Sequence, residues 1–239
     1  MLLLGPIIGS FLGVLIRRLP RGRPVALARS ACESCGTVLT AWDLVPLVNY
    51  GLQRGRCRHC GAAIGRFHPA IELAAIGVAL WAMTIDNGDW LIADCVLGWV
   101  LLALAVCDWR SYSLPDALTL PLILLGLAAT WYLRPGELTT HALAAALAYM
   151  AFRALSWLYR GLRGRDGLGQ GDAKLLAAAG AWVGLVALGD VVLVAATIGL
   201  LLAVILALRA GRPLSGQTVL PFGPCLAFAT WVVWLYMPA

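Results

Sequence analysis

Two sets of residues in this chain have the types and spacing for chemistry. The first is "CESCG" followed by "CRHCG", which places Cys32, Cys35, Cys57 and Cys60 as C-x2-C, 21 residues, C-x2-C. Two close pairs let four thiolates converge tetrahedrally, and Gly36 and Gly61 permit a tight turn after each pair. The pattern predicts a structural zinc site. Four thiolates leave no open position on the metal, so the expected role is folding support and not bond cleavage. Disulfides are the alternative, and a cytosolic position disfavours them. A small segment has little core of its own, and metal binding supplies roughly 10–16 kcal/mol towards folding such a piece.

The second set is acidic. Asp108 closes an apolar run in "LAVCDWRSYSLPDALTLP", Asp116 follows Pro115, and Asp172 ends "GLGQGD" just before another apolar run. A carboxylate in a membrane span costs about 2.5–3.5 kcal/mol on insertion scales, which makes it a functional candidate. Two carboxylates that meet cannot comfortably both ionise. One keeps a proton while the other polarises a water against a peptide carbonyl. Asp108 and Asp172 are the expected pair. Gly169 and Gly171 remove side chains where a substrate backbone would approach. The alternative for Asp172 is an N-cap, with Lys174 a snorkelling neighbour. Asp116 reads as an N-cap, since Pro-Asp is good helix-start chemistry. Asp108 ends a helix and Asp172 opens one, so the helix dipoles place the shared proton on Asp108.

These residues must be positioned by membrane helices. The chain has 239 residues, 61% of them hydrophobic and only 13% charged, where soluble domains average about 25% charged. A span needs about 20 apolar residues, and the apolar runs give eight candidates, roughly 1–16, 70–84, 91–107, 117–133, 139–158, 173–188, 190–208 and 219–237. The expected fold is an all-α polytopic membrane protein of about eight transmembrane helices. The expected organisation is helix one (1–16), a small cytosolic zinc-binding domain (17–69) and a seven-helix membrane domain (70–239).

Arg17 and Arg18 follow the first apolar run instead of preceding it. That order predicts a retained helix with its N-terminus outside, not a signal peptide. With that orientation every basic residue except Arg134 falls on the cytosolic side, Arg165 and Arg212 included. The net charge of +6 thus reads as the positive-inside rule, with no nucleic-acid partner implied. Asp108 and Asp172 fall at the same cytosolic depth. Gly5, Gly9 and Gly13, four apart, suit close helix packing. Cys95, Cys107 and Cys225 read as packing residues. A proton-coupled transporter is a further reading of membrane aspartates, but transporter sites lie near the midplane and not at one end.

Taken together, these segments resemble the type IV prepilin peptidases, bacterial inner-membrane GxGD aspartyl proteases, many of them also N-methyltransferases. The similarity runs through "GSFLGVLIRRLP" (9–20), the cysteine box with "WDLVPLVNYGLQRGRCRHCG" (42–61), "FHPAIELAA" (67–75), "CDWRSYSLPDALTLP" (107–121), "GLGQGDAKLLAAAGAWVG" (167–184) and "PFGPCLA" (221–227). The resemblance implies that Asp108 and Asp172 are catalytic and that Asp116 has a conformational place. Pro221, Phe222, Gly223 and Pro224 would form a substrate-orienting loop, with Gly169, Gly171 and Lys174 also facing substrate. Two prolines and a glycine inside the last span would free backbone groups for a substrate strand.

It further implies cleavage of type IV prepilins or pseudopilins after a glycine, between a basic leader and an apolar helix. Methylation of the new N-terminus from S-adenosylmethionine would follow, with the zinc domain serving that second step. Peptidase activity without methyl transfer is the alternative. One departure bears on it: the family pattern commonly has asparagine where this chain has Gly13. Glu72 is the candidate polar residue for the methyl donor, the alternative being an ion pair with Arg66 or Arg56.

Overall fold

The computed structural model describes residues 1–25, 29–40, 42–164, 169–210 and 220–236. Gly167, Arg165 and Arg212 lie outside them. Among the described residues the regular structure is helical, and extended pairing is confined to two isolated antiparallel bridges, Ala31 to Val38 and Arg56 to Ala63. The helices are α1 (Leu4–Arg18), α2 (Val48–Leu52), α3 (Phe67–Met83), α4 (Gly88–Ser111), α5 (Asp116–Leu133), α6 (Leu138–Arg163), α7 (Gln170–Ala210) and α8 (Gly223–Tyr236). The chain forms two compact units, Met1–Ala103 and Leu104–Ala239, and α4 runs from the first into the second.

In the first unit α1 lies against α3. The contact is made by the glycine stripe expected from the sequence. A methyl group at Gly5 would sit 3.2 Å from Ile76 Cα, at Gly9 2.6 Å from Glu72 Cα, and at Gly13 2.7 Å from His68 Nδ1. Lacking side chains on that face, α1 brings its backbone against α3. The Trp99 indole N–H donates to the Ala75 carbonyl at 2.9 Å and ties α4 to the same helix.

In the second unit α5, α6 and α8 all pack on α7. Small residues again set the spacing: a methyl group at Gly180 would meet the Ala144 backbone at 2.8 Å, and one at Gly126 the Trp182 ring at 2.6 Å. Trp182 is buried, donates to the Leu122 carbonyl at 2.9 Å and meets Trp234 edge-on at 5.2 Å.

Among the described residues four helices are long and apolar enough to cross a membrane: Gly88–Ser111, Asp116–Leu133, Pro135–Leu162 and Gln170–Arg209. Phe67–Met83 and Gly223–Tyr236 are apolar but shorter. The expected spans at 173–188 and 190–208 form one element, α7, and it breaks at Gly184 (φ 76°, ψ −177°), not at Gly189–Asp190. A straight helix would put residues 172 and 199 about 40 Å apart. Yet Asp172 acts electrostatically with Asp108, Asp108 touches Gly223, and the neighbouring Phe222 ring comes within 3.6 Å of a methyl placed on Gly199. The helix therefore doubles back at Gly184.

The break has a chemical partner. His141, buried, places Nδ1 3.1 Å from the Ala181 carbonyl, which the broken ladder leaves without its helical donor. The Thr130 hydroxyl lies 3.3 Å from the same oxygen, and Glu137 lies 3.4 Å from His141 Nε2. The signal was in a histidine and a threonine far from Gly184 in sequence, not in the local Gly-Asp pair.

The glycine stripe yields a test. Gly9→Leu should overpack the α1–α3 contact and cost about 1–3 kcal/mol, read as a lower thermal midpoint of the detergent-solubilised protein. An unchanged midpoint would mean that the two helices are not in backbone contact.

Candidate functional site

Asp108 stands three residues from the end of α4 and is buried, 7% exposed. Its Oδ2 accepts the backbone N–H of Gly223 at 2.9 Å. Gly223 is the first residue of α8, so its N–H has no partner within that helix. A methyl group there would lie 2.7 Å from Asp108 Oδ2, so only glycine allows the approach. Asp172 is the third residue of α7, half-buried, and accepts the N–H of Gly169 just before the helix. This is the reach-back half of a capping box. The charge of Asp108 acts on Asp172.

The expected dipole asymmetry is not found. Asp108 does end its own helix, but the N-terminus of α8 faces it. Both carboxylates thus sit at helix N-termini, which favour an anion.

The remaining expected site residues fall around this pair. Gly171 is packed against Leu114, whose Cβ would lie 2.8 Å from an added methyl. Lys174 pairs with Asp116. Asp116 is accordingly not an N-cap: that position belongs to Pro115, and the aspartate occupies the first turn of α5. Pro221 is buried, Phe222 and Pro224 are half-buried, and all three lie at the start of α8 instead of inside a longer span. The backbone donor that this motif frees is taken by Asp108. The link between α4 and α5 includes Tyr112 at φ 50°, unusual for a non-glycine residue, with its N–H on the Asp108 carbonyl at 2.9 Å. Sequence reasoning missed Tyr112 and Leu114, which no motif marks. Chemically, two carboxylates that act on one another electrostatically and are largely screened from solvent can activate a water and return its proton, the work of an aspartyl hydrolase.

The four cysteines converge in the first unit, with their Sγ atoms within 4.8 Å of one another. Cys32 and Cys60 are 3.9 Å apart. A tetrahedral ion with metal–sulfur bonds of about 2.3 Å needs an edge of about 3.8 Å, whereas a disulfide needs about 2.05 Å. All four cysteines are free. Two matching knuckles build the cluster. Gly36 N–H returns to the Cys32 carbonyl at 2.9 Å, and Gly61 N–H to the Cys57 carbonyl at 2.8 Å, with φ of 69° and 71°. The Thr37 hydroxyl, 3.3 Å away, and then its backbone N–H pull the Cys35 thiol down to about 6. The N–H groups of Cys60 and His59 lower Cys57. Both effects favour the thiolates that a metal ion requires. Asp43 braces the domain by accepting Thr40 N–H and Oγ1–H at 2.9 and 2.7 Å and pairing with Arg58 at 3.2 Å.

A cavity of about 460 Å³ also lies in the first unit, between α1, α3 and the segment that carries the cysteines. Glu72 lines it and is 5% exposed. Its Oε2 accepts the Leu47 N–H at 2.9 Å, so its partner is backbone instead of the expected Arg66 or Arg56. Leu47 sits at φ 59°, ψ −47°, a costly conformation for leucine that this bond helps to hold. Leu47 and Ser10 were not legible as site residues from sequence. Gly13 is explained by its neighbour, because the His68 ring fills the space that any side chain at 13 would need.

Known proteins divide the chain at a similar place. Residues 3–85 match the bacterial peptidase A24 N-terminal domain, and residues 95–204 match the type IV leader peptidase family. A prepilin leader peptidase/N-methyltransferase of Burkholderia pseudomallei (strain 1026b) is 38% identical over 95% of this chain and 81% of its own length. Proteins of the same name are 35% identical in Pseudomonas aeruginosa, over 98% of this chain and 89% of theirs, and 36% identical in Aeromonas salmonicida, over 96% and 87%. No solved structure matches the chain. Two carboxylates joined through α4, α7 and α8, a four-thiolate cluster and relatives that align along nearly the whole length agree on one conclusion: the chain belongs to the type IV leader peptidase family.

Proposed function

We propose that this protein removes the basic leader from prepilins or pseudopilins and then methylates the new N-terminus. The observation that carries the reading is the joining of Asp108 and Asp172 at one site by the N-termini of α7 and α8. In this reading one carboxylate holds a water and draws off its proton as the oxygen adds to the glycine carbonyl of the scissile bond. The other carboxylate donates to that carbonyl oxygen. Proton return to the departing nitrogen completes cleavage. The pair titrates as one unit. Gly223 positions Asp108, and the Lys174–Asp116 pair fixes the start of α7 beside α5. Gly169 leaves the approach to Asp172 open to a substrate backbone. Pro221, Phe222 and Pro224 give the last helix a rigid start against which a substrate strand can lie.

The chain is read as spanning the bacterial inner membrane eight times. The eight passes are α1, α3, α4, α5, α6, the two limbs of α7 and α8. The distribution of basic residues supports an outside N-terminus and a cytosolic catalytic face. Residues 17–69 form the cytosolic domain, and residues 70–239 the membrane protease. The thiolate cluster suits zinc, which as a tetrathiolate ion supplies folding support. S-adenosylmethionine is the methyl donor. Peptidase activity alone is the second reading, and Gly13, where the resemblance implies that asparagine is common, is the observation that favours it.

Membranes carrying this protein and a prepilin, scored by mass spectrometry, test both steps. The wild type should release the leader and add one methyl group to the product. Asp108→Asn and Asp172→Asn should each lower cleavage by about a thousandfold or more. Unchanged cleavage in either variant would remove the aspartyl mechanism, and a cleaved but unmethylated wild-type product would select the second reading. Gly223→Ala should lower the cleavage rate by about a hundredfold by displacing Asp108, while α8 itself tolerates alanine. Wild-type cleavage by Gly223→Ala would mean that the Gly223 contact does not position the carboxylate.

A further inference from the structure

The cavity of the first unit has a charge pattern that the proteolytic site does not use. Its inner wall holds Glu72, 5% exposed. A carboxylate has about four lone-pair positions, and the Leu47 N–H and the Ser10 hydroxyl take two of them. The other acidic groups of the lining are committed elsewhere, Glu33 to Arg17 and Asp43 to Thr40 and Arg58. Arg17, Arg18, Arg21, Arg23 and Arg29 also line the cavity. Arg17 is paired with Glu33, and Arg18 donates to the carbonyls of Pro24, Val25 and Arg29. Among the described residues Arg21, Arg23 and Arg29, all exposed and all lining the cavity, have no acidic partner. Apolar side chains such as Val14 and Leu39 also line it.

A ligand that suits this cavity carries a cation for the buried carboxylate, an anion for the arginines and an apolar part for side chains such as Val14 and Leu39. It must also fit about 460 Å³, within the range of ordinary small-molecule sites. An anionic lipid headgroup would satisfy the arginines but leave Glu72 without a counter-charge. An adenosyl sulfonium with an α-amino acid tail has all three parts. We propose that this cavity binds the methyl donor, S-adenosylmethionine, with Glu72 facing its cationic groups and Arg21 and Arg23 facing its carboxylate. The proposal rests on the methyltransferase reading and assigns it a site. The cysteine cluster borders the cavity, since Cys32 and Glu33 line it, and a metal ion held there would fix that part of the lining. The strained Leu47 backbone is kept in place by the same carboxylate, which couples the shape of the loop to the charge at Glu72.

Isothermal titration of the metal-loaded, detergent-solubilised full chain with S-adenosylmethionine tests this. The wild type should bind. Glu72→Gln should weaken binding by about tenfold or more, with metal content and gel-filtration elution reporting that the variant is folded. Arg21→Gln combined with Arg23→Gln, at the exposed rim, should weaken S-adenosylmethionine to a similar degree. The same double variant should leave 5′-methylthioadenosine, which lacks the amino acid tail, unaffected. Wild-type affinity in all variants, with labelled methyl still transferred to a cleaved pilin, would overturn the site and leave the methyltransferase reading standing. Equal weakening of both ligands by the arginine variants would overturn the assignment of the carboxylate to that rim. Neither donor binding nor methyl transfer by the wild type would overturn the reading and the site together.

Discussion

A carboxylate placed in apolar surroundings needs a partner, and the choice of partner decides what it can do. Glu72, Asp108 and Asp172 are each held by a backbone N–H, from Leu47, Gly223 and Gly169. Among the described residues none of the three has a cation as its partner. Cation pairs hold other acids: Asp116 with Lys174 and Glu33 with Arg17, both exposed, and Asp43 with Arg58 beside the cysteine cluster. A hydrogen bond to a charged group is worth about 1.5–3 kcal/mol, comparable to the insertion cost of about 2.5–3.5 kcal/mol for an aspartate in a span. One well-aimed N–H therefore comes close to offsetting burial without neutralising the charge. Arginine or lysine would stabilise the same carboxylates more strongly and leave them less able to take up a proton.

The fold follows from supplying those donors. Helix termini are where free N–H groups exist, so α7 and α8 must begin at the aspartates. Proline at 221 ends the preceding backbone, and glycine at 223 lets the carboxylate reach the first free donor. Helix α7 has to leave Asp172 and return to α8, and the break at Gly184 permits the return. His141 and Thr130 stabilise that break at the far end by serving the carbonyl it frees. Small residues at Gly126 and Gly180 let the helices close to the required distance.

Much of this was legible because each feature depends on residue type at a fixed spacing. The paired cysteines, Asp172 behind Gly169 and Gly171, and the stripe Gly5–Gly9–Gly13 each carry their geometry in a few adjacent positions. What was not legible depends on residues distant in sequence. Asp108 looked like the end of one helix, and only the three-dimensional approach of Gly223 makes it face the start of another. Asp116 looked like a cap until Lys174 claimed it. The apolar runs divide α7 at residue 189, whereas the break lies at Gly184 and its partner, His141, lies more than forty residues earlier. Leu47 gives no local sign of its strained backbone, since that conformation is set by Glu72 on α3.

The central claim is that Asp108 and Asp172 form one coupled acid–base unit. An epoxide that esterifies an ionised carboxylate and needs an adjacent protonated one to open its ring reports this directly. After treatment of the detergent-solubilised protein, mass spectrometry should find a single adduct per chain at 108 or 172. Asparagine at the other position should abolish it. Adducts at both positions, or an adduct that survives Asp108→Asn and Asp172→Asn alike, would contradict the account, because each carboxylate would then be acting alone.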